Sequence, residues 1–173
     1  RRVPPVKGQP SLPLTAQTVE FGDNGTISFH TLNINAWSSF KIKLDDQHFR
    51  ELFGQSTVLL VQEHKMLTQA ETDAAVAHCA RRGYSATFGL AKELDSGKPS
   101  GGVGILVKEG LNIGITRVAH DYHELEHRLL AVAVQSPGGP AHLVASVYFE
   151  DASGFSQTNL ASLAQVAILQ HES

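Results

Sequence analysis

Two asparagines and a glutamate stand at the polar tips of two apolar runs. One run closes as Leu32-Asn33-Ile34-Asn35-Ala36-Trp37, the other as Leu59-Leu60-Val61-Gln62-Glu63-His64-Lys65. A single carboxylate beside amide oxygens suits Mg²⁺, which takes one or two carboxylates and fills its octahedron with water and substrate phosphate. The chemistry of such a site is phosphoryl chemistry, in which the cation offsets charge building on a phosphoryl oxygen and positions the leaving group. The plainer alternative is that Asn33 and Asn35 cap a strand and Glu63 solvates the end of another.

A second constellation is His123-Glu124-Leu125-Glu126-His127, a literal H-E-x-x-H. On a helix its two histidines would face one way and could bind Zn²⁺, with a glutamate to activate water. Against this, Glu126 is charged where zinc peptidases carry an uncharged residue, and no third ligand motif follows. The run from Arg128 also reads as a strand beginning at once, so the segment is expected to be a polar inter-strand loop. Gly101-Gly102-Val103-Gly104 lacks the last glycine of a dinucleotide fingerprint and is expected to turn the chain into a strand. Cys79, inside an Ala-rich segment, reads as a small buried hydrophobe. Trp37 and Phe40 have two open fates, stacking on a base or deoxyribose, or core packing.

The elements that must position these residues follow from pattern. Residues 1–18 hold Pro4, Pro5, Pro10 and Pro13 and read as an extended arm. Gly22-Asp23-Asn24-Gly25 is a turn, and Asn24-Gly25-Thr26, a formal glycosylation triplet, belongs to it. Residues 26–35 alternate as a strand, 41–53 form a modest amphipathic helix, and 57–62 are a short apolar run suited to a strand buried on both faces. Thr68 and Glu71 make a capping box, and Gly83 stops the helix they open, giving 68–82. Strand-like runs follow at 84–90, 103–107, 111–118, 128–135 and 142–148, the last two joined by the turn Ser136-Pro137-Gly138-Gly139-Pro140. Ser156 caps a final helix. Strands joined in sequence by a short helix tend to lie side by side and parallel, which would bring Asn35 and Glu63 to one edge of a sheet.

Composition narrows the classes. The 14 Lys and Arg against 17 Asp and Glu, a formal charge of −3, exclude a chain that binds nucleic acid by bulk charge alone. One cysteine cannot close an internal disulfide, which favours an intracellular setting, nuclear or cytoplasmic. No run approaches the roughly 18 apolar residues of a membrane span, so no membrane partner is expected. The start at Arg1 and the end within a helical pattern lead to the expectation of a fragment.

Four segments in order resemble the successive motifs of the exonuclease/endonuclease/phosphatase superfamily: Leu32–Asn35, Leu59–Lys65, Gly101–Lys108 and Val144–Tyr148. The nearest flavour is the apurinic-like endonuclease domain of retrotransposons, and the resemblance covers residues 26–172. It implies an α/β (α+β) fold, a partial four-layer α/β/β/α sandwich with mixed, largely antiparallel sheets. The domain would occupy 19–173 as the amino-terminal half of a whole. By this resemblance Glu63 is the metal-binding glutamate of a Gln-Glu-x-Lys pattern, Asn35 falls beside the metal, and Asn33 orders the site and contacts the reacting phosphate. Tyr148 approaches the scissile phosphate, and Arg128 corresponds to an arginine used near DNA; apart from the resemblance, Trp37 is the candidate substrate-binding residue by its aromatic type and its place just beyond the Asn strand. The cofactor implied is Mg²⁺ or Mn²⁺, and the partner of the full-length protein is DNA. The family's later Asp-x-Asn and Ser-Asp-His motifs do not occur in these 173 residues. The chain as given is therefore expected to be inactive, or a non-catalytic remnant or interaction module. A phosphoinositide or sphingolipid phosphatase would share the same first half.

Overall fold

The computed structural model describes residues 15–20, 26–53, 57–111, 113–118, 123–135, 138–149 and 156–172. Alternation along the strands sets the architecture. In β3 (Val58–Gln62) Leu59 and Val61 face one side, while Val58 and Leu60 face the other. β3 therefore needs a covering layer on each face. It lies in a five-stranded sheet with β1 (Thr15–Glu20), β2 (Thr26–Asn33), β4 (Tyr84–Phe88) and β7 (Val103–Lys108), in the order β1-β2-β3-β7-β4. β2 and β3 run parallel and the other pairings are antiparallel.

One face of this sheet is covered by α1 (Trp37–Asp45), α2 (Gln47–Phe53) and α3 (Gln69–Ala80). Phe40, Leu44, Phe53, Ala75 and Cys79 pack there against Leu59, Val61, Tyr84, Phe88 and Leu106. The other face meets a second sheet, ordered β10-β9-β8, formed by β8 (Gly114–Val118), β9 (Leu129–Gln135) and β10 (Ala141–Val147). Val58, Val103, Ile105 and Val107 interlock there with Leu130, Val132, Val134 and Val144. The outer face of the second sheet carries α4 (Gln157–Glu172), whose Leu169 joins Leu125, Leu129 and Ala131. Helices, sheet, sheet, helix: this is the α/β/β/α sandwich, with mixed sheets that are mostly antiparallel. A two-stranded ribbon, β5 (Lys92–Glu93) and β6 (Pro99–Ser100), lies apart from both sheets.

Several boundaries differ from the sequence expectation. Residues 15–18, assigned to the proline-rich arm, belong to edge strand β1; β-branched Thr15, Thr18 and Val19 provide the propensity once β2 offers a partner. The single helix expected over 41–53 is two. The Asp46 backbone is extended, its N–H closes α1 on the carbonyl oxygens of Ile42 and Lys43, and its carboxylate accepts from Phe49 N at 2.8 Å to open α2. An aspartate that caps locally competes with helix continuation. The strand expected over 26–35 ends at Asn33, because Asn35 turns left-handed. The helix over 68–82 forms as α3 with both halves of its capping box, and Gly83 leaves it at φ 78°. The expected hairpin of the last two strands is present. The turn at 22–25, residues 1–14 of the arm, and Ser136-Pro137 lie outside the described residues. No helix among those described is long and apolar enough to cross a membrane.

Candidate active site

The parallel register aligns Asn33 with Gln62, so the chain leaves β2 and β3 at the same rim. Beyond the strands the two exits are stitched together. Ile34 N–H donates to the Gln62 carbonyl at 2.9 Å, and Trp37 N–H to that of His64 at 2.9 Å. The side chains then meet. Asn33 Nδ2 donates to Glu63 Oε1 at 2.8 Å, and Asn33 Oδ1 accepts from the Asn35 backbone at 3.1 Å. Lys65 Nζ donates to Asn35 Oδ1 at 3.0 Å and lies 3.6 Å from Glu63 Oε2. Asn33, Asn35 and Glu63, read from sequence as one site, are thus brought together, and Lys65 joins them.

The backbone here is unusual in a way sequence could not announce. Asn35, Glu63 and Lys65 all have φ of 60°, and among the described residues they are the non-glycine residues with positive φ. Such conformations cost about 1–3 kcal/mol each and persist only where surrounding structure over-determines them. Below the rim, Gln62 is buried and fixed by Thr31 and by Ser146 of the second sheet, whose Oγ accepts from Gln62 Nε2 at 3.2 Å. The glutamate is held at its base by both sheets.

His64 turns inward, 1% exposed, between the two outward-facing charged residues. Its Nδ1 accepts from Met66 N at 3.1 Å, so Nε2 carries the proton and donates to the Gly89 carbonyl at 2.8 Å. Burial pushes its pKa down to about 4, against the opposing pull of that bond, and the ring is neutral near pH 7.

A second pair lies across the Gly101–Gly102 turn. His64 N–H and Lys65 N–H donate to the carbonyls of Gly102 and Gly101, and Gly102 N–H donates to that of His127. Arg128 follows. Its guanidinium stands 5.5 Å over the Tyr148 ring, its Nε donates to His127 Nε2 at 2.9 Å, and its carbonyl accepts from Tyr148 N. Arg128 is buried, and Tyr148 is half-buried at the end of β10. Beside Arg128 opens a groove of about 850 Å³ lined in part by Leu90, Lys92, Leu125 and Gln157.

Of the two fates open to Trp37, its contacts are those of packing. The ring sits edge-on to Phe40, His78 and Phe88, with centroids 6.0, 5.9 and 5.7 Å away. The H-E-x-x-H segment is no α-helix: His123–Leu125 make one 3₁₀ turn, and β9 starts at Leu129. It is the expected inter-strand loop, but the exposed, polar loop read from sequence is only partly so: Glu124 is exposed, Glu126 and His127 are half-buried, and Leu125 is buried in the core under α4. Among the described residues no three His, Cys, Asp or Glu side chains converge. A cation at this rim would therefore rest on Glu63 and amide oxygen, a hard-oxygen donor set suited to Mg²⁺ or Mn²⁺ and poor for zinc. An ammonium, Lys65 Nζ, already lies between the two oxygens such a cation would use.

No protein-family model matches the chain, and no curated protein sequence does. Among solved structures it is similar to ANGEL2, a 2′,3′-cyclic phosphatase in complex with adenosine-2′,3′-vanadate, with a TM-score of 0.51 and 15% identity over 90% of this chain. The likeness establishes a shared sandwich fold, and this chain spans about half of that structure, 49% of its length.

Proposed function

We propose that this chain carries the metal- and phosphate-binding half of a divalent-cation-dependent phosphoesterase, its substrate the phosphodiester backbone of DNA, as in a retroelement endonuclease. The observation that supports the reading is the convergence of Glu63, Asn33 and Asn35 at the rim where parallel β2 and β3 end. Support for phosphoester chemistry also comes from the fold shared with a 2′,3′-cyclic phosphatase. A bound Mg²⁺ or Mn²⁺ would supply Lewis acidity to a phosphoryl oxygen.

The chain's own residues do the rest. Asn33 holds Glu63 Oε1 by its amide N–H, so Oε2 and Asn35 Oδ1 remain as the pair of oxygens facing Lys65. The Lys65 ammonium offsets the Glu63 carboxylate charge, and Glu63 and Asn35 are the residues that would hold a divalent cation. Tyr148 offers a phenol O–H to a phosphate oxygen, and Arg128, stacked on its ring, fixes that ring's direction and adds positive charge.

Paramagnetic Mn²⁺ tests the reading. Amide signals of Asn33, Asn35, Glu63 and Lys65 should broaden at sub-stoichiometric Mn²⁺ while those of α4 stay sharp. A DNA duplex added in Mg²⁺ should then shift Arg128 and Tyr148 in the wild type and not in Glu63→Gln. Uniform broadening would contradict the metal site and leave the non-catalytic interaction module; shifts from inorganic phosphate but not from the duplex would contradict DNA.

A further inference from the structure

His64 separates Glu63 from Lys65, and nothing in the proposed chemistry uses it. We infer that His64 is a positioning residue whose ring, wedged between the Gly101–Gly102 turn and the Gly89 carbonyl, holds Glu63 and Lys65 in the backbone conformations that aim them at the rim. This deepens the metal reading and rests on it.

Five observations carry the inference. The residues on either side of His64 are both left-handed, at φ 60°, so the chain flips outward, inward and outward again across three positions. The inward ring is engaged at both nitrogens, by Gly89 O and by Met66 N, and packs edge-on to Phe88 at 5.3 Å. The Gly102 Cα lies directly on the ring: a Cβ there would stand 2.5 Å from Cε1, 2.6 Å from Nδ1 and 2.9 Å from Nε2. That glycine, at φ 86°, accepts from His64 N–H and donates to the His127 carbonyl, so the ring's seat is continuous with Arg128 and Tyr148. The His64 carbonyl accepts from Trp37 N, which ties down the Asn35 loop. His64 is therefore in direct contact with the Gly101–Gly102 turn and bonded through its backbone to the Asn35 loop, and it reaches the Arg128 segment through Gly102. An apolar ring of the same size would fill the space but release the Gly89 carbonyl and the Met66 amide. Outer partners of this kind typically cost about 10–100-fold in metal affinity when removed.

The test has a backbone arm and a metal arm. In ¹⁵N-labelled wild type, Glu63 and Lys65 should give the strong intraresidue HN–Hα cross-peak of left-handed residues, and the His64 ring nitrogens should show the chemical shifts of the Nε2–H tautomer. His64→Leu should lose both left-handed signatures and bind Mg²⁺ at least about tenfold more weakly. His64→Gln keeps an N–H donor for Gly89 and should restore the signatures and most of the affinity. Gly102→Ala, which displaces the ring while leaving it present, should reproduce the loss. Val132→Ala, in the inter-sheet core, should lower stability and leave Mg²⁺ affinity unchanged. Retention of the left-handed signatures in folded His64→Leu or Gly102→Ala, with wild-type Mg²⁺ affinity, would overturn the inference. If His64→Leu does not fold, wild-type signatures in Gly102→Ala overturn it equally. A wild type that ignores Mg²⁺ would remove the metal reading, and the backbone arm would still decide whether His64 holds Glu63 and Lys65.

Discussion

Asn33 uses both ends of its amide, one on the Glu63 carboxylate and one on the Asn35 backbone, which leaves Lys65 as the only charged side chain bonded to the Glu63–Asn35 oxygens among the described residues. That arrangement predicts a competition. Lys65→Ala removes a positive charge from where a divalent cation would sit, and Mg²⁺ affinity measured by calorimetry should rise about tenfold, the order of one screened charge–charge contact at a few ångströms. Unchanged or weaker binding would mean that Lys65 is a scaffold rather than a placeholder. Cys79 supplies a prediction of a different kind. Burial pushes its thiol up to about 12, so iodoacetamide should label it at pH 8 only as fast as the chain unfolds. At this scale Asn33, Asn35 and Glu63 were legible because residue type and placement at strand ends were enough to assemble them. Lys65 was not legible as a site residue, since its contact depends on a left-handed turn that no local pattern encodes. His64 escaped for the same reason: a lone histidine next to a glutamate reads as surface until its burial is seen.

Capping chemistry decides where the helices begin and end. The Thr68–Glu71 box was read directly from sequence, and it forms: Thr68 Oγ1 accepts from Glu71 N at 3.3 Å, while Glu71 Oε2 accepts from Thr68 N at 3.0 Å and Leu67 N at 2.8 Å. Thr68→Ala should cost about 1 kcal/mol by urea denaturation at pH 7. Those same bonds hold the Glu71 carboxyl below its ordinary value, with the Thr68 backbone bond foremost. A carboxylate lowered in the folded state stabilises above its unfolded pKa, and the contribution fades as pH falls through the folded one. Glu71→Gln should therefore be less stable than wild type at pH 7, with the difference shrinking as pH falls through the folded-state value. The Asp46 cap that splits α1 from α2 was equally present in the sequence. It was hidden because Leu44, Phe49 and Phe53 keep an approximate helical period across the break, and hydrophobic spacing alone cannot tell one helix from two that pack on the same sheet face.

At the scale of the whole molecule, the core is two cores separated by a sheet. Leu130 is 1% exposed between the sheets, and Leu130→Ala should cost about 2–5 kcal/mol. Trp37, the single tryptophan, belongs to the helix-side core and should report the unfolding of that layer. If the sandwich unfolds as one unit, its fluorescence and far-UV circular dichroism will give one midpoint in Leu130→Ala; two midpoints would show the layers separating. The need to cover β3 on both faces was legible in the apolar run 57–62, whereas the four-layer order follows only from the superfamily resemblance. Strand order was not legible, since β7 inserts between β3 and β4, with the bare Gly104 Cα against Phe88 and Val61, and no neighbour in sequence announces that pairing. Everything functional depends on whether the rim this sandwich builds takes a divalent cation. The direct measurement is an Mg²⁺ titration followed by amide shifts in wild type and Glu63→Gln. Saturable movement at Asn33, Asn35, Glu63 and Lys65 in the millimolar range, absent from Glu63→Gln, is the predicted result. Stationary signals at those residues, or an identical response in Glu63→Gln, would contradict it.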